Sequence, residues 1–101
     1  MSKIYSVSEI ENKSKEIFQK NNVIRAYLFG SYAYGNPGDK SDIDIALDTG
    51  GSISFLRVCG VMEELSQALG KKVDLFDLRE IEQNSSIMEE ITQRGILLYE
   101  A

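Results

Sequence analysis

The chain has 101 residues, 43% of them hydrophobic, and a net charge of −5; that is apolar material for one modest core, and residues 1–101 are expected to form a single domain. The absence of histidine removes histidine bases, histidine nucleophiles and the common zinc sites, and the single Cys59 excludes an internal disulfide. No basic stripe offers to grip a long polynucleotide and no apolar run approaches a membrane span, while the opening MSKIYSVSEIENK is not a signal peptide, so a cytoplasmic protein is expected.

Residues 6–21 place Val7, Ile10, Ser14, Ile17 and Phe18 on one helical face, with Ser6 and Glu9 spaced as a capping box. Asn21-Asn22 ends that helix, and Val23 to Phe29 has the pattern of a buried strand. Gly30-Ser31 follows as a turn, and residues 35–40 form the one clear loop, dense in turn formers. Asp42 to Leu47 is predicted as a second strand, with Asp48 in the loop beyond it and Ser41 supporting Asp42 through a turn. From Ser52 to Leu69, Phe55, Leu56, Cys59, Met62 and Leu69 recur at helical spacing, which predicts a helix with Cys59 in the core and Gly70 as its C-terminal cap. Lys72 to Leu78 is predicted as a third strand, with Asp77 at its solvated end or capping the next turn. Ile87, Met88 and Ile91 mark a last helix closed by Gly95, and Ile96 to Tyr99 a fourth strand. Glu63-Glu64 and Glu89-Glu90 are expected on exposed helix faces, and Tyr5, Tyr27, Tyr32, Tyr34 and Tyr99 are expected to pack. The sum is a small α/β (α+β) domain, a mixed sheet of four strands flanked by helices.

The chemistry concentrates between Gly30 and Leu47, in the run GSYAYGNPGDKSDIDIAL. A glycine-serine turn lets a phosphate approach closely, because the glycine has no side chain, and presents backbone N–H groups and a hydroxyl. Asp42 and Asp44, separated by one residue on a strand, point to the same face and can share divalent metal. The helix between the second and third strands is long enough for a parallel crossover, which brings the strand starts, and so Asp44 and Asp74, to one edge of the sheet. Gly30-Ser31 joins that edge if the first strand runs antiparallel to the second. Such an edge suits nucleotidyl transfer, in which two metals hold the attacking and leaving oxygens around the α-phosphorus of a triphosphate. Asp42 and Asp44 would bind the metals, and Asp74 would complete the catalytic metal and help take the acceptor's proton. The acidic balance disfavours polynucleotide substrates but not small phosphates.

The same run resembles the nucleotidyltransferase motif of the DNA polymerase β superfamily: glycine-serine, a spacer, Asp-x-Asp, and a third carboxylate on a later strand. More narrowly, the first helix, GSYAYG, SDIDIAL, KKVDLFDL and the closing RGILLYE resemble the minimal nucleotidyltransferases, often encoded beside a helical HEPN-domain protein. The resemblance implies a polymerase-β-like fold and an antitoxin that uses Mg2+ and ATP to transfer AMP to a tyrosine hydroxyl of a HEPN ribonuclease toxin. It gives catalytic and metal-binding roles to Asp42, Asp44 and Asp74 and nucleotide binding to Gly30 and Ser31. One departure stands out: Tyr34 occupies a position where many relatives have arginine, and Lys40, Lys71 or Lys72 are the candidates to supply the missing charge.

Two further readings remain open on the sequence. The chain is either a binding module that neutralises its partner by occlusion, or a catalytic subunit that modifies a small molecule with an acceptor site completed by a helical partner. On the transfer readings another molecule presents the acceptor, with a partner protein the economical candidate, and association with a partner or with a second copy is expected.

Overall fold

A computed structural model describes residues 4–35, 37–38 and 41–101; Lys40 and part of the 35–40 loop lie outside the described residues. Helix α1 (Val7–Lys20) begins where the sequence places its cap. The Ser6 hydroxyl accepts from the Glu9 N–H at 3.1 Å, and the Glu9 carboxylate accepts from the Ser6 N–H at 3.0 Å. Strand β1 (Arg25–Phe29) leads into the single-turn helix α2 (Ser31–Tyr34), then β2 (Ile43–Asp48), α3 (Phe55–Leu69) and β3 (Val73–Asp77). A short 3-10 turn at Leu78–Glu80, helix α4 (Ser86–Arg94) and strand β4 (Ile96–Glu100) follow. Gly70 caps α3 in the left-handed conformation (φ 64°). The Asp77 carboxylate accepts from the Arg79 N–H at 2.9 Å and caps the 3-10 turn.

The sheet order is β3-β2-β1-β4, with β2 and β3 parallel and β1 antiparallel to both its neighbours. This is the topology on which convergence of the site depends. Alternation along each strand divides the side chains between two faces. Ala26, Leu28, Ile43, Ile45, Leu47 and Val73 bury against Ile10 and Phe18 of α1 and Val61, Leu65 and Leu69 of α3. Phe29, Ala46 and Phe76 point the other way, toward Ile91 of α4. A bulge in β4, where Ala26 pairs with Tyr99 and Tyr27 with Leu97, adds Leu98 to the first face and brings the Tyr99 ring to 5.5 Å from that of Phe18.

The buried stripe of α3 differs from the one its spacing predicts. Val58, Val61, Leu65 and Leu69 face the core, Cys59 and Met62 are half-buried, and Phe55 and Leu56 are 78% and 80% exposed. Two apolar stripes about 100° apart run along this helix and meet at Leu69; the one carrying the valines is the one that packs. Asp48 also differs from expectation. It ends β2 rather than lying in a loop, because its register partner on β1 is Arg25, whose guanidinium reaches it at 3.4 Å. Of the acidic pairs, Glu64 is half-buried and ion-paired to Lys20 at 2.5 Å, and Glu90 is half-buried against α2.

The tyrosines pack as expected: Tyr32 is buried, and the Tyr5 hydroxyl donates to the Leu69 carbonyl at 2.5 Å. Among the described residues no helix is long and apolar enough to cross a membrane.

Candidate active site

Strand register assembles the site. Phe29, the last residue of β1, pairs with Asp44, so Gly30 turns away from the sheet directly beside that carboxylate. Asp44 in turn pairs with Asp74 across the parallel β2–β3 ladder, about 5 Å away between backbones. Residues thirty apart in sequence thus become neighbours, and by alternation both point to the α4 face of the sheet.

Gly30 is required twice over. Its φ of 76° suits glycine, and a Cβ there would lie 2.5 Å from the Asp44 carboxylate oxygen Oδ2. The carboxylate fills the space that the absent side chain leaves. The Ala33 and Tyr34 N–H groups return to the Gly30 carbonyl at 3.0 and 3.1 Å, which fixes α2 onto this turn. The N–H groups of the first residues, Ser31 and Tyr32, lie at the open end of such a helix.

The electrostatics are those of crowded carboxylates. Asp44 is raised from 3.8 to about 6, first by burial, then by the charges of Asp74, Asp42 and Glu90, with Lys72 opposing. The Lys72 ammonium lies 3.9 Å from Asp42 and 3.8 Å from Asp74, so a protein cation sits between two of the three carboxylates. Its side chain is 70% exposed and free to leave when another cation arrives. Among the described residues no three acidic side chains are already gathered around one point. The donor set nevertheless suits a hard cation: oxygen ligands only, excess negative charge, and an ammonium where positive charge is needed. Asp42, Asp44 and Asp74 are the carboxylates available there to a divalent cation.

Two residues of this region escape a linear reading. The Tyr34 hydroxyl donates to the Glu90 carboxylate, and the Arg94 guanidinium carbon lies 4.0 Å from the Tyr34 ring centroid. That hydrogen bond, with burial, raises the Tyr34 hydroxyl above its ordinary value, against the pull of Arg94. Glu90 and Arg94 are one helical turn apart and so share a face of α4. That spacing is visible in the sequence, but its target is visible only once α4 lies beside α2. Arg94 of α4 thus holds its guanidinium over the Tyr34 ring.

Comparison with known proteins identifies the family and the fold. Residues 12–101 match the family model described as polymerase beta, nucleotidyltransferase. A Methanocaldococcus jannaschii protein carrying the provisional name protein adenylyltransferase is 38% identical over 76 residues, covering 75% of this chain and 82% of the relative. A crystal structure of a toxin-antitoxin with AMP-PNP superposes with a TM-score of 0.79 at 30% identity, covering 90% of this chain and 73% of that one. A structure of a tri-AMPylated Shewanella oneidensis HEPN toxin in complex with its MNT antitoxin superposes with a TM-score of 0.73 at 27% identity, covering 94% and 73%. The chain therefore belongs to the polymerase-β nucleotidyltransferase family, as a minimal nucleotidyltransferase homologous to the antitoxin of a HEPN toxin pair.

Proposed function

We propose that the chain transfers AMP from ATP to a tyrosine hydroxyl of a HEPN-domain ribonuclease and thereby acts as its antitoxin in the cytoplasm. The observation that carries this reading is the fit of the Asp44 carboxylate into the space over Gly30, with Asp74 beside it in register. A phosphate-binding turn and a pair of carboxylates share one rim, as attack on a bound nucleotide requires. The toxin-antitoxin structure with AMP-PNP and the AMPylated HEPN toxin supply the nucleotide and the acceptor by analogy.

Gly30 and the Ser31 N–H and hydroxyl bind the β- and γ-phosphates, leaving the α-phosphorus over Asp44 and Asp74. Magnesium held by Asp42, Asp44 and Asp74 would neutralise the triphosphate and the charge that develops on the leaving oxygen. The acceptor oxygen bonds to the α-phosphorus, the bond to the β-phosphate bridging oxygen breaks, and pyrophosphate departs. The acceptor proton passes to Asp74, which lies beside the attacking position.

The test is incubation with magnesium, α-labelled ATP and a HEPN protein encoded nearby. Label is expected on the HEPN protein with wild type, and none with an Asp42→Ala/Asp44→Ala double variant. If wild type transfers no label while the double variant still rescues growth, neutralisation is by occlusion and the reading is wrong.

A further inference from the structure

We infer that the outer face of α3 pairs antiparallel with the same face of a second copy of this chain. Helix α1 flanks α3 on the side of Glu64, which meets Lys20 and the Asn21 amide. The flank turned away from α1 carries Phe55, Leu56, Cys59, Gly60, Met62 and Glu63. Phe55 and Leu56 are 78% and 80% exposed, and Gly60 is exposed beside them. The outer face of α1, in the same layer, carries Glu11, Lys13, Lys15 and Glu16 instead, as a face in water does. Glycine inside a helix is unfavourable relative to alanine. Gly60 does not have the positive φ that would call for glycine, and a Cβ there would meet nothing within 4 Å. Among the described residues, nothing accounts for this hollow or for the bare leucine one turn before it.

A second copy accounts for both. Leu56 and Gly60 lie one turn apart on one face, so a two-fold axis level with Val58 sets the Leu56 of each copy into the hollow over Gly60 of the other. The same axis brings Phe55 beside Met62 of the second copy, an aromatic ring against a thioether. Of the six residues on this flank only Glu63 is charged, and antiparallel pairing carries it to the N-terminal turn of the second α3. That turn holds no acidic residue, and its open N–H groups favour negative charge. Parallel pairing would instead set the two Glu63 carboxylates side by side. In the antiparallel pair the two Cys59 side chains lie about 3 Å apart along the helix axes. So narrow a strip falls short of the roughly 1,200 Å2 of a stable interface, so the pair forms at high concentration and separates on dilution. Because α3 covers the sealed face of the sheet, the carboxylate rim stays open in the pair.

The test is sedimentation equilibrium from micromolar to millimolar concentration on wild type, Leu56→Glu and Gly60→Ala, with cross-linking of Cys59 by a short bismaleimide. Wild type is expected to dimerise as concentration rises and to cross-link. Leu56→Glu, a change at an exposed position, is expected to weaken association by roughly a hundredfold, since each pair loses two buried leucines. It is also expected to lose the cross-link although Cys59 remains, and circular dichroism checks its fold. Gly60→Ala fills the hollow and is expected to weaken association about tenfold. The same variant is expected to raise the Tm of the monomer, because alanine is the better helix former; a damaged fold would lower it. Wild type that stays monomeric at every concentration overturns the inference. A dimer that neither variant weakens forms through another surface and overturns it equally. If wild type alone is monomeric while Leu56→Glu loses binding to a HEPN protein, the face belongs to that partner and the second copy is excluded.

Discussion

The two faces of the sheet are built differently. Among the described residues, one is sealed by α1 and α3 over a cluster of fourteen buried residues; the other carries Phe29, Ala46 and Ile91 as its buried core under α4. The strands serve both, because alternation sends Ile43, Ile45 and Leu47 inward while Asp44 faces the thinner side with Asp74. Ionised groups crowded together need access to cations and water, which a fully packed face denies them. Stability is concentrated on one side of β2 and the candidate chemistry on the other, within a single six-residue strand.

That division is broken most sharply by substituting neighbours on β2 and its surroundings. Asp44→Asn is expected to lower AMP transfer by roughly three orders of magnitude, the several kcal/mol that a metal-held charge contributes. The same variant is expected to match or exceed wild type in thermal stability, since it removes a charge that Asp74, Asp42 and Glu90 oppose. A destabilised Asp44→Asn would mean that the carboxylate supports the fold and that the two faces are not separate in role. Leu65→Ala, on the sealed side, is expected to cost about 2–5 kcal/mol in denaturant unfolding while leaving the folded protein's transfer rate near wild type.

The sealed face was largely legible in the sequence. The capping box at Ser6, the glycine at position 70 and the alternation of IDIAL are local signals, and the helix between β2 and β3 makes their parallel pairing the natural choice. The grouping of Gly30, Asp44 and Asp74 followed from that topology. What stayed hidden depended on which surfaces meet. Glu90 carries the signal of a solvated helix face, and only the packing of α4 against the α2 side turns it toward Tyr34 and the Asp44 charge. Asp48 has turn formers after it, and its place in the strand depends on Arg25, twenty-three residues earlier.

A pH titration sharpens the comparison on the open face. Asp44 is raised to about 6 in the folded chain from an ordinary 3.8, so between those values the native state holds a proton that the unfolded state has released. Its protonated form favours folding at low pH, and that contribution is lost as pH rises from about 4 to 6. Metal-free wild type minus Asp44→Asn is therefore expected to show a difference in Tm that falls across this window and is flat above it. Added magnesium is expected to shrink the difference at neutral pH, because it replaces the missing counter-charge. A difference that rises with pH would contradict the crowding of carboxylates at the rim.

The smallest effect belongs to the sealed face and to the one helix whose orientation the sequence misled. Spacing alone puts Phe55 and Leu56 in the core, yet both are exposed, while Val58 is 8% exposed and Val61 fully buried. Removing the two methyl groups of Val58 in Val58→Ala is expected to cost about 1–2 kcal/mol at roughly 0.8 kcal/mol per buried carbon. Phe55→Ser removes a far larger side chain, but one already in water, and its cost is expected to stay within about 0.5 kcal/mol. Chemical denaturation of the two variants side by side ranks the stripes directly. Were Phe55→Ser the more damaging, α3 would be rotated by about 100° from its observed setting. Val61, Leu65 and the sheet residues they cover would then lose the contact that defines the sealed face.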